Sequence, residues 1–290
     1  MKTHQILALV LVLGLLAFGQ AGCQKNTTEA GTQGIVVEKI AGAPPLQASK
    51  DQQFSIMVSI ENKGSYDVKK GEATVFLEGI EPSLFSLSSA DLEKKNTIEL
   101  REAVNAQGIA GGRERIVFAD KAKYVGQNVD FNQPIKYVSC YDYESEAQTN
   151  ICFALQSGEI CNIDGDKIEN AIIGDAPVQI TSITEQRSGQ NIQMRFKIEN
   201  VGTGRVYSPE VNCRTPEIFL ENSVLVSVES EEPFDCKPTL SGAKSGEGRV
   251  NNIIVCSRSM KDTAEHLSPV KIRLRYKYLE LAETSIGITE

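Results

Sequence analysis

The feature that most limits what this chain can fold into is an apolar pattern of period two that is written twice. Phe54-Ser55-Ile56-Met57-Val58-Ser59-Ile60-Glu61-Asn62-Lys63-Gly64 matches Ile192-Gln193-Met194-Arg195-Phe196-Lys197-Ile198-Glu199-Asn200-Val201-Gly202. Val75-Phe76-Leu77-Glu78 matches Ile218-Phe219-Leu220-Glu221, and the stretch Pro134–Phe153 matches Pro269–Ile288 without a gap. Three matches in one order, at offsets between 135 and 143 residues, mark a duplicated module.

The repeated segments say what the module is made of. Ile192, Met194, Phe196 and Ile198 alternate with Gln193, Arg195 and Lys197. Ile272, Leu274, Tyr276 and Tyr278 alternate with Arg273, Arg275 and Lys277. Such alternation puts one side of a strand in a core and the other in water, as in an antiparallel sheet. Tyr141, Tyr143, Tyr276 and Tyr278 share the spacing and should face the core. Asn62-x-Gly64 and Asn200-x-Gly202 read as strand ends whose residues tolerate positive φ. The expected fold is all-β: two tandem immunoglobulin-like antiparallel sandwiches at residues 34–153 and 177–290, joined by a connector at 154–176. At 290 residues the chain is long enough for two such cores. Residues 88–104 (SSADLEKKNTIELREAV) read instead as a short inserted helix.

At these residues the chain resembles a known group. A strand ending in Ile-Glu-Asn-x-Gly is similar to the CARDB-type and related immunoglobulin/fibronectin-like modules of archaeal and bacterial surface proteins. The segment Cys140-Tyr141-Asp142-Tyr143-Glu144 with the Cys-containing connector resembles uncharacterised lipoprotein-like proteins of archaea. The resemblance covers most of residues 34–290. It implies an adhesion or scaffold module outside the cell, with no catalytic residues to carry over.

The N-terminus supplies an address. Lys2 precedes the apolar run Ile6–Phe18. As a helix that run is about 20 Å long, short of the roughly 30 Å hydrocarbon core, so residues 1–22 read as a signal peptide. Gln20-Ala21-Gly22-Cys23 resembles the lipobox of prokaryotic lipoproteins, with Gln20 where bacterial versions prefer leucine. The resemblance makes Cys23 the acylated first residue of the mature chain, and residues 23–33 a polar tether. Plain cleavage near Ala21 is the alternative. Asn26-Thr27-Thr28 on the tether is a formal glycosylation sequon. Either way the chain is expected outside the cytoplasm, and with Cys23 acylated it is expected to be anchored to the outer face of the cell membrane.

Cysteine usage agrees with export. Setting Cys23 aside leaves Cys140, Cys152, Cys161, Cys213, Cys236 and Cys256, an even set that reads as three disulfides. If residues 145–147 form a turn, Cys140 and Cys152 oppose each other on neighbouring strands and should pair on the solvent side. Cys236 and Cys256 bracket the Gly-rich stretch Ser241–Gly248 and should pair next. That leaves Cys161–Cys213, which would tie the connector to the second module.

Catalytic chemistry is hard to find. The chain has two histidines, His4 in the leader and His266 in a polar stretch, which argues against triads and histidine zinc sites. Asn162-Ile163-Asp164-Gly165-Asp166 places Asp164 and Asp166 as weak calcium ligands without the distal glutamate of an EF-hand. A solvated turn is the preferred reading of the segment. Gly108–Gly112 lacks the Lys-Ser/Thr of a phosphate loop and reads as a turn, and Glu229–Glu232 as an exposed acidic loop. A formal net charge of −8 with no basic cluster disfavours nucleic acid. No cofactor is implied. Three functions remain: an anchored binding or scaffold protein engaging an envelope protein or surface polymer, a solute-capture or sensor lipoprotein with a cleft between modules, and an enzyme accessory module or unrecognised hydrolase. A large inter-module pocket would favour the second, an apolar outer patch the first, and clustered carboxylates the third.

Overall fold

The computed structural model describes residues 31–154, 158, 160–231, 233–237, 246–260 and 265–290. Cys23, the leader, the tether to residue 30, Glu232 and most of the Gly-rich stretch lie outside them. The described residues contain no α-helix. The first repeat contributes β1 (Ile35–Lys39), β2 (Gln47–Ser49), β3 (Phe54–Asn62), β4 (Ala73–Glu78), β5 (Glu93–Lys95), β6 (Arg113–Ala122) and β7 (Phe131–Phe153). The connector carries β8 (Gly165–Asp166) and β9 (Ile172–Ile173). The second repeat follows with β10 (Val178–Ser188), β11 (Asn191–Asn200), β12 (Arg205–Tyr207), β13 (Ser223–Ser230) and β14 (Asp235–Lys237). It ends with β15 (Gly246–Arg249), β16 (Ile253–Ser259) and β17 (His266–Thr289).

Three sheets result. A central sheet runs β15-β13-β17-β7-β4-β5, with β2 and β12 added beside β17 and β9 beside β7. One outer sheet is β1-β3-β6 and the other is β14-β16-β11-β10-β8. The duplication is visible in the pairing. Val58 of β3 faces Ile116 of β6, and the repeat-mate Phe196 of β11 faces Ile254 of β16. Likewise Ile35 opposes Asn62 while Val178 opposes Asn200.

The two copies are not set end to end with a core each. β7 and β17 pair antiparallel along their whole length, from Phe131 opposite Ile288 to Phe153 opposite His266. Asp142 lies opposite Lys277, and these are themselves repeat-mates in the gapless alignment, so a pseudo-two-fold axis passes between them. Each long strand begins in its own repeat and ends in the other's half of the central sheet. The apolar residues of both halves form one buried cluster. At its middle sit Tyr141, Tyr143, Tyr276 and Tyr278, all buried as the alternation predicted, with ring centroids 5.7 to 6.4 Å apart.

Several expectations change for local reasons. Residues 145–147 form no turn. Ser145 and Ala147 continue the buried phase of β7 while Glu144 and Glu146 continue its outer phase, and the segment has no Gly, Pro or Asn to break it. Residues 88–104 are not a helix. A Ser88–Asp91 capping box closes a single 3₁₀ turn, and the chain then extends into β5. There the buried Asn96 acts as a backbone surrogate, accepting from Gly71 and Ala73 N–H and donating to the Lys69 and Ile98 carbonyls. The Val75–Glu78 match also misleads: it is strand in the first repeat, whereas Ile218–Leu220 is an exposed 3₁₀ turn. The sheet equates Val75, opposite Ser139, with Val226, opposite Leu274.

Gly64 and Gly202 do not have positive φ. They are glycine because a tyrosine hydroxyl occupies the place of their Cβ: Tyr143 at Gly64 and Tyr278 at Gly202. The preceding asparagines explain why the hydroxyls are there. Asn62 Oδ1 accepts from Gly64 N–H (3.2 Å) and from the Tyr143 hydroxyl (3.5 Å), and Asn200 Oδ1 accepts from the Tyr278 hydroxyl (3.2 Å). Asn-x-Gly is therefore half of a clasp whose other half is the distant Tyr-x-Tyr.

Candidate functional site

Two of the three expected disulfides are different in the structure. Cys236 pairs with Cys256 as foreseen, the two facing each other across β14 and β16. Cys140 pairs with Cys213, and Cys152 with Cys161. The expected Cys140–Cys152 bond cannot form because both residues sit on unbroken β7, about 40 Å apart at about 3.3 Å per residue. Cys161–Cys213 fails with it, since the connector folds Cys161 back to the end of β7 while the Cys213 loop lies over its middle. Nor are Cys140 and Cys152 solvent-facing: both are buried.

The first of these bonds creates a braced surface loop. Residues 208–222 lie across the outer face of the central sheet, stapled at Cys213 to Cys140. Lys277 Nζ donates to the Pro209 and Val211 carbonyls at 2.8 and 3.2 Å, and Arg214 pairs with Glu93 at 2.8 Å. Ser208 N–H bonds the Leu220 carbonyl (3.0 Å), and Tyr207 bridges Glu221. This bracing holds Ile218 and Phe219 out in solvent at 82% and 69% exposure. An adjacent apolar pair on a rigid loop loses little freedom on docking. It was not legible from the sequence because the same residues looked like strand.

The second bond lies in a buried polar corner. Both oxygens of Glu185 accept from Cys152 N–H at 3.1 Å, and Lys167 Nζ reaches it at 3.2 Å. The Glu185 side chain is fully buried, and burial pushes its carboxyl up to about 7 despite those donors. Sequence reasoning missed it. A bulge between Ile180 and Ser182 shifts the phase of β10, so that Ile183 and then Glu185 turn inward. The change from even to odd apolar positions at Ile180 and Ile183 was the available signal.

The corner also places the remaining candidates. His266 is not a solvated turn residue; it opens β17 with its ring stacked on Phe153 at 5.4 Å. Asp164 and Asp166 gather no third ligand among the described residues. Asp164 N–H bonds Asn162 Oδ1, Asp166 Oδ1 accepts from Ile168 N–H, and the neighbouring cation is the Lys167 ammonium. The single described group of three ligand atoms is Cys152, Cys161 and Glu265, and its two sulfurs are already bonded to each other. Glu265 itself accepts from the Ile160 and Cys161 N–H groups at 3.1 and 2.9 Å. Gly108–Gly112 is a turn before β6, as expected.

Where the repeats meet, the cavity between Gly34, Gly202, Thr203, Tyr278 and Glu280 measures ≈ 70 Å³. That is room for a few waters. A wider crevice of ≈ 430 Å³ lies on the solvent face of the β1-β3-β6 sheet, lined by Lys39, Ile40, Ser59, Arg113, Glu114 and Arg115. Here Arg113 is held by Ser59 Oγ (2.7 Å) and Glu38 (2.6 Å), while Arg115 forms no ion pair among the described residues.

No protein-family model matches the chain. No curated protein matches it either. Among solved structures a secreted serine protease, VesC from Vibrio cholerae, aligns at 12% identity over 87% of this chain and 51% of its own, with a TM-score of 0.20. The chain thus spans about half of that protein, and a likeness this slight carries no argument. What stands is an all-β chain of antiparallel sheets with three disulfides, the bonding expected in an oxidising, extracytoplasmic environment. No helix of the described residues is long and apolar enough to cross a membrane.

Proposed function

We propose that this is a non-catalytic binding or structural protein of the cell envelope, held to the outer face of the membrane through Cys23. The observation that carries the reading is the cross-linking of the two repeats: Cys140 of the first is bonded to Cys213 of the second, behind a leader-like N-terminus that ends at a cysteine. Such a staple suits a chain that works in an oxidising space and has to present its surfaces rigidly. In this reading each repeat is an immunoglobulin-like sandwich of CARDB type in which the last strand is exchanged. The hairpin that would end each copy is opened into one long strand, and its second half completes the other copy.

The small cavity between the repeats favours this reading over solute capture, because ≈ 70 Å³ holds no solute of ordinary size. The braced Ile218–Phe219 pair favours recognition by docking. The test is mass spectrometry of the N-terminal peptide from native membranes, together with cross-linking on intact cells. A diacylglyceryl-modified Cys23 and reproducible envelope neighbours are expected. An unmodified Cys23 in a chain released to the medium would overturn the anchored reading.

A further inference from the structure

We infer that the partner of the Ile218–Phe219 knuckle is a second copy of this chain, which receives it in the crevice beside Arg115 on the β1-β3-β6 sheet. This deepens the binding reading above and rests on it for its biological setting. The contact itself concerns the folded chain in solution and can be tested there.

Charge complementarity points to this occupant. The knuckle reads Glu217-Ile218-Phe219-Leu220-Glu221, an apolar pair flanked by acids, with Glu217 exposed. An anionic lipid surface would repel it, and so would a second knuckle. The crevice offers the opposite: Ile40 is at its wall with Lys39, Arg113 and Arg115 around it, and Glu114 lines it. Glu38 and Glu61 meet the Arg113 guanidinium at 2.6 and 4.0 Å, which leaves Lys39 and Arg115 as the cations without an ion pair among the described residues. Glu114 is already engaged, accepting from Thr97 N–H and the Thr97 hydroxyl and reached by Ile98 N–H. Arg115, which forms no ion pair among the described residues, is a cation that a Glu217 or Glu221 carboxylate could meet. At ≈ 430 Å³ the crevice lies within the range of clefts that hold ligands.

The placement of the two surfaces sets the geometry. The knuckle loop covers the outer face of the central sheet, stapled over Cys140. The crevice is on the solvent side of the sheet that packs against the inner face of that same region, where Phe118 of β6 meets Tyr137 of β7 at 5.8 Å. Knuckle and crevice therefore point in opposite directions across one sandwich. A contact between unlike surfaces on opposite faces does not close into a dimer; it propagates head to tail into a row. Each contact uses two apolar side chains and a few charges, so it is weak alone and gains from the density of chains on a surface.

The experiment is sedimentation velocity on the purified full chain over a hundredfold range of concentration, at low and high salt. The wild type should show a rising sedimentation coefficient at low salt that flattens in 1 M NaCl. Ile218→Asp/Phe219→Asp removes the knuckle, and Lys39→Glu/Arg115→Glu reverses the crevice while leaving the Arg113 network in place. Each variant alone should stay at the monomer value. Mixed in equal amounts they should form a one-to-one complex and nothing larger, because one knuckle and one crevice remain intact. A concentration-independent wild type overturns the inference, as does a crevice variant that associates like the wild type, or a mixture that stays monomeric. Phe219→Ser serves as the milder knuckle variant, with retention of the wild-type unfolding midpoint as the check on folding. Failure here leaves the anchored binding reading standing, since that is decided by the state of Cys23 and the neighbours found on cells.

Discussion

In the first repeat the long strand β7 carries Asp142, Glu144 and Glu146 on its outer face; in the second, β17 carries Lys277, Arg275 and Arg273 opposite them and Lys271 one step further, opposite Gln148. The inner faces are alike, both Tyr-x-Tyr. The outer faces form a ladder of ion pairs: Lys277–Asp142 at 3.8 Å, Arg275–Glu144 at 3.4 Å, Arg273–Glu146 at 3.2 Å and Lys271–Glu146 at 2.8 Å. Around the same axis, two copies of β7 would set Asp142 against Asp142, and two copies of β17 would set Lys277 against Lys277. The tyrosine core permits either strand to pair with itself or with its mate; the charges favour the mate. A duplicated strand has diverged on one face until its two copies prefer each other.

The first way to break the comparison is at the clasps, where the largest effect is expected. A Cβ at Gly64 would fall on the Tyr143 hydroxyl and also lie 2.6 Å from the backbone carbonyl oxygens of Asp175 and Gln33. At Gly202 it would meet the Tyr278 hydroxyl and the Cβ of Pro177, which is 2.9 Å away, with the Thr32 carbonyl further off at 3.1 Å. Gly64→Ala should therefore cost about 3 kcal/mol or more, and Gly202→Ala about 1–2 kcal/mol, as overpacking does when backbone has to move. Urea unfolding of both variants checks this, and equal losses would mean that the two clasps are equally free to adjust.

These clasps also show what the sequence could and could not tell. Asn-x-Gly and Tyr-x-Tyr were both visible as repeated motifs, and both were read singly, one as a turn and one as a core. Their contact across some 80 residues of chain is a tertiary fact that no local pattern carries. The strands β3, β11, β7 and β17 were legible because alternation is a property of consecutive residues. A turn at 145–147 would set Cys140 opposite Cys152, but the alternation through Ser145 and Ala147 belongs to a straight strand. The partners of Cys140 and Cys152 depend on where a loop and the connector return, which spacing does not state. The VFLE and IFLE tetrapeptides warn in the other direction: a short match can be real as sequence and false as structure.

The next effect belongs to one repeat alone. β1 ends at Lys39, opposite Val58, so the first repeat has no position equivalent to Glu185. Because burial raises the Glu185 carboxyl from its ordinary 4.5 to about 7, the folded chain holds that proton more tightly than the unfolded chain does. The stabilisation is complete below about pH 4.5 and is lost as the pH rises through about 7. Across that window Glu185 should contribute a decline of roughly 2–3 kcal/mol. Glu185→Gln keeps an acceptor for Cys152 N–H and should flatten that part of the profile. A wild type and variant whose unfolding free energies run parallel from pH 5 to 8 would show that the corner does not titrate there.

The ladder is the third test, and it addresses the opposition between the two outer faces directly. Glu144→Arg/Glu146→Arg and Arg273→Glu/Arg275→Glu should each destabilise by about 1–2 kcal/mol, the scale of a few partly exposed ion pairs turned into repulsions. The four changes together restore opposite charges with reversed polarity and should recover most of the loss, giving a coupling energy in a double-mutant cycle. The coupling should shrink in 1 M NaCl. If the fourfold variant is no better than the sum of its halves, the faces are merely charged, and their opposition does not select the pairing.

The smallest effect separates two tyrosines that the repeat makes equivalent. Tyr276 is satisfied: its hydroxyl lies 2.8 Å from Ser145 Oγ and accepts from Val178 N–H at 3.4 Å. Its mate Tyr141 is equally buried, but its hydroxyl finds no hydrogen-bond partner among the described residues and lies against Gly34. The residue standing where Ser145 stands is Glu280, whose carboxyl burial pushes up and whose oxygen is engaged by the Thr203 hydroxyl at 3.2 Å. Removing a bonded buried hydroxyl leaves its partners unpaired, whereas removing an unbonded one takes away a polar group that already lacked compensation. Tyr276→Phe should therefore cost about 1–2 kcal/mol, and Tyr141→Phe should lie between neutral and about 1 kcal/mol stabilising. Denaturant midpoints of the two variants, measured side by side, decide it: a Tyr141→Phe loss as large as that of Tyr276→Phe would mean that the first repeat satisfies its tyrosine after all, and that the core is more symmetric than its hydrogen bonds indicate.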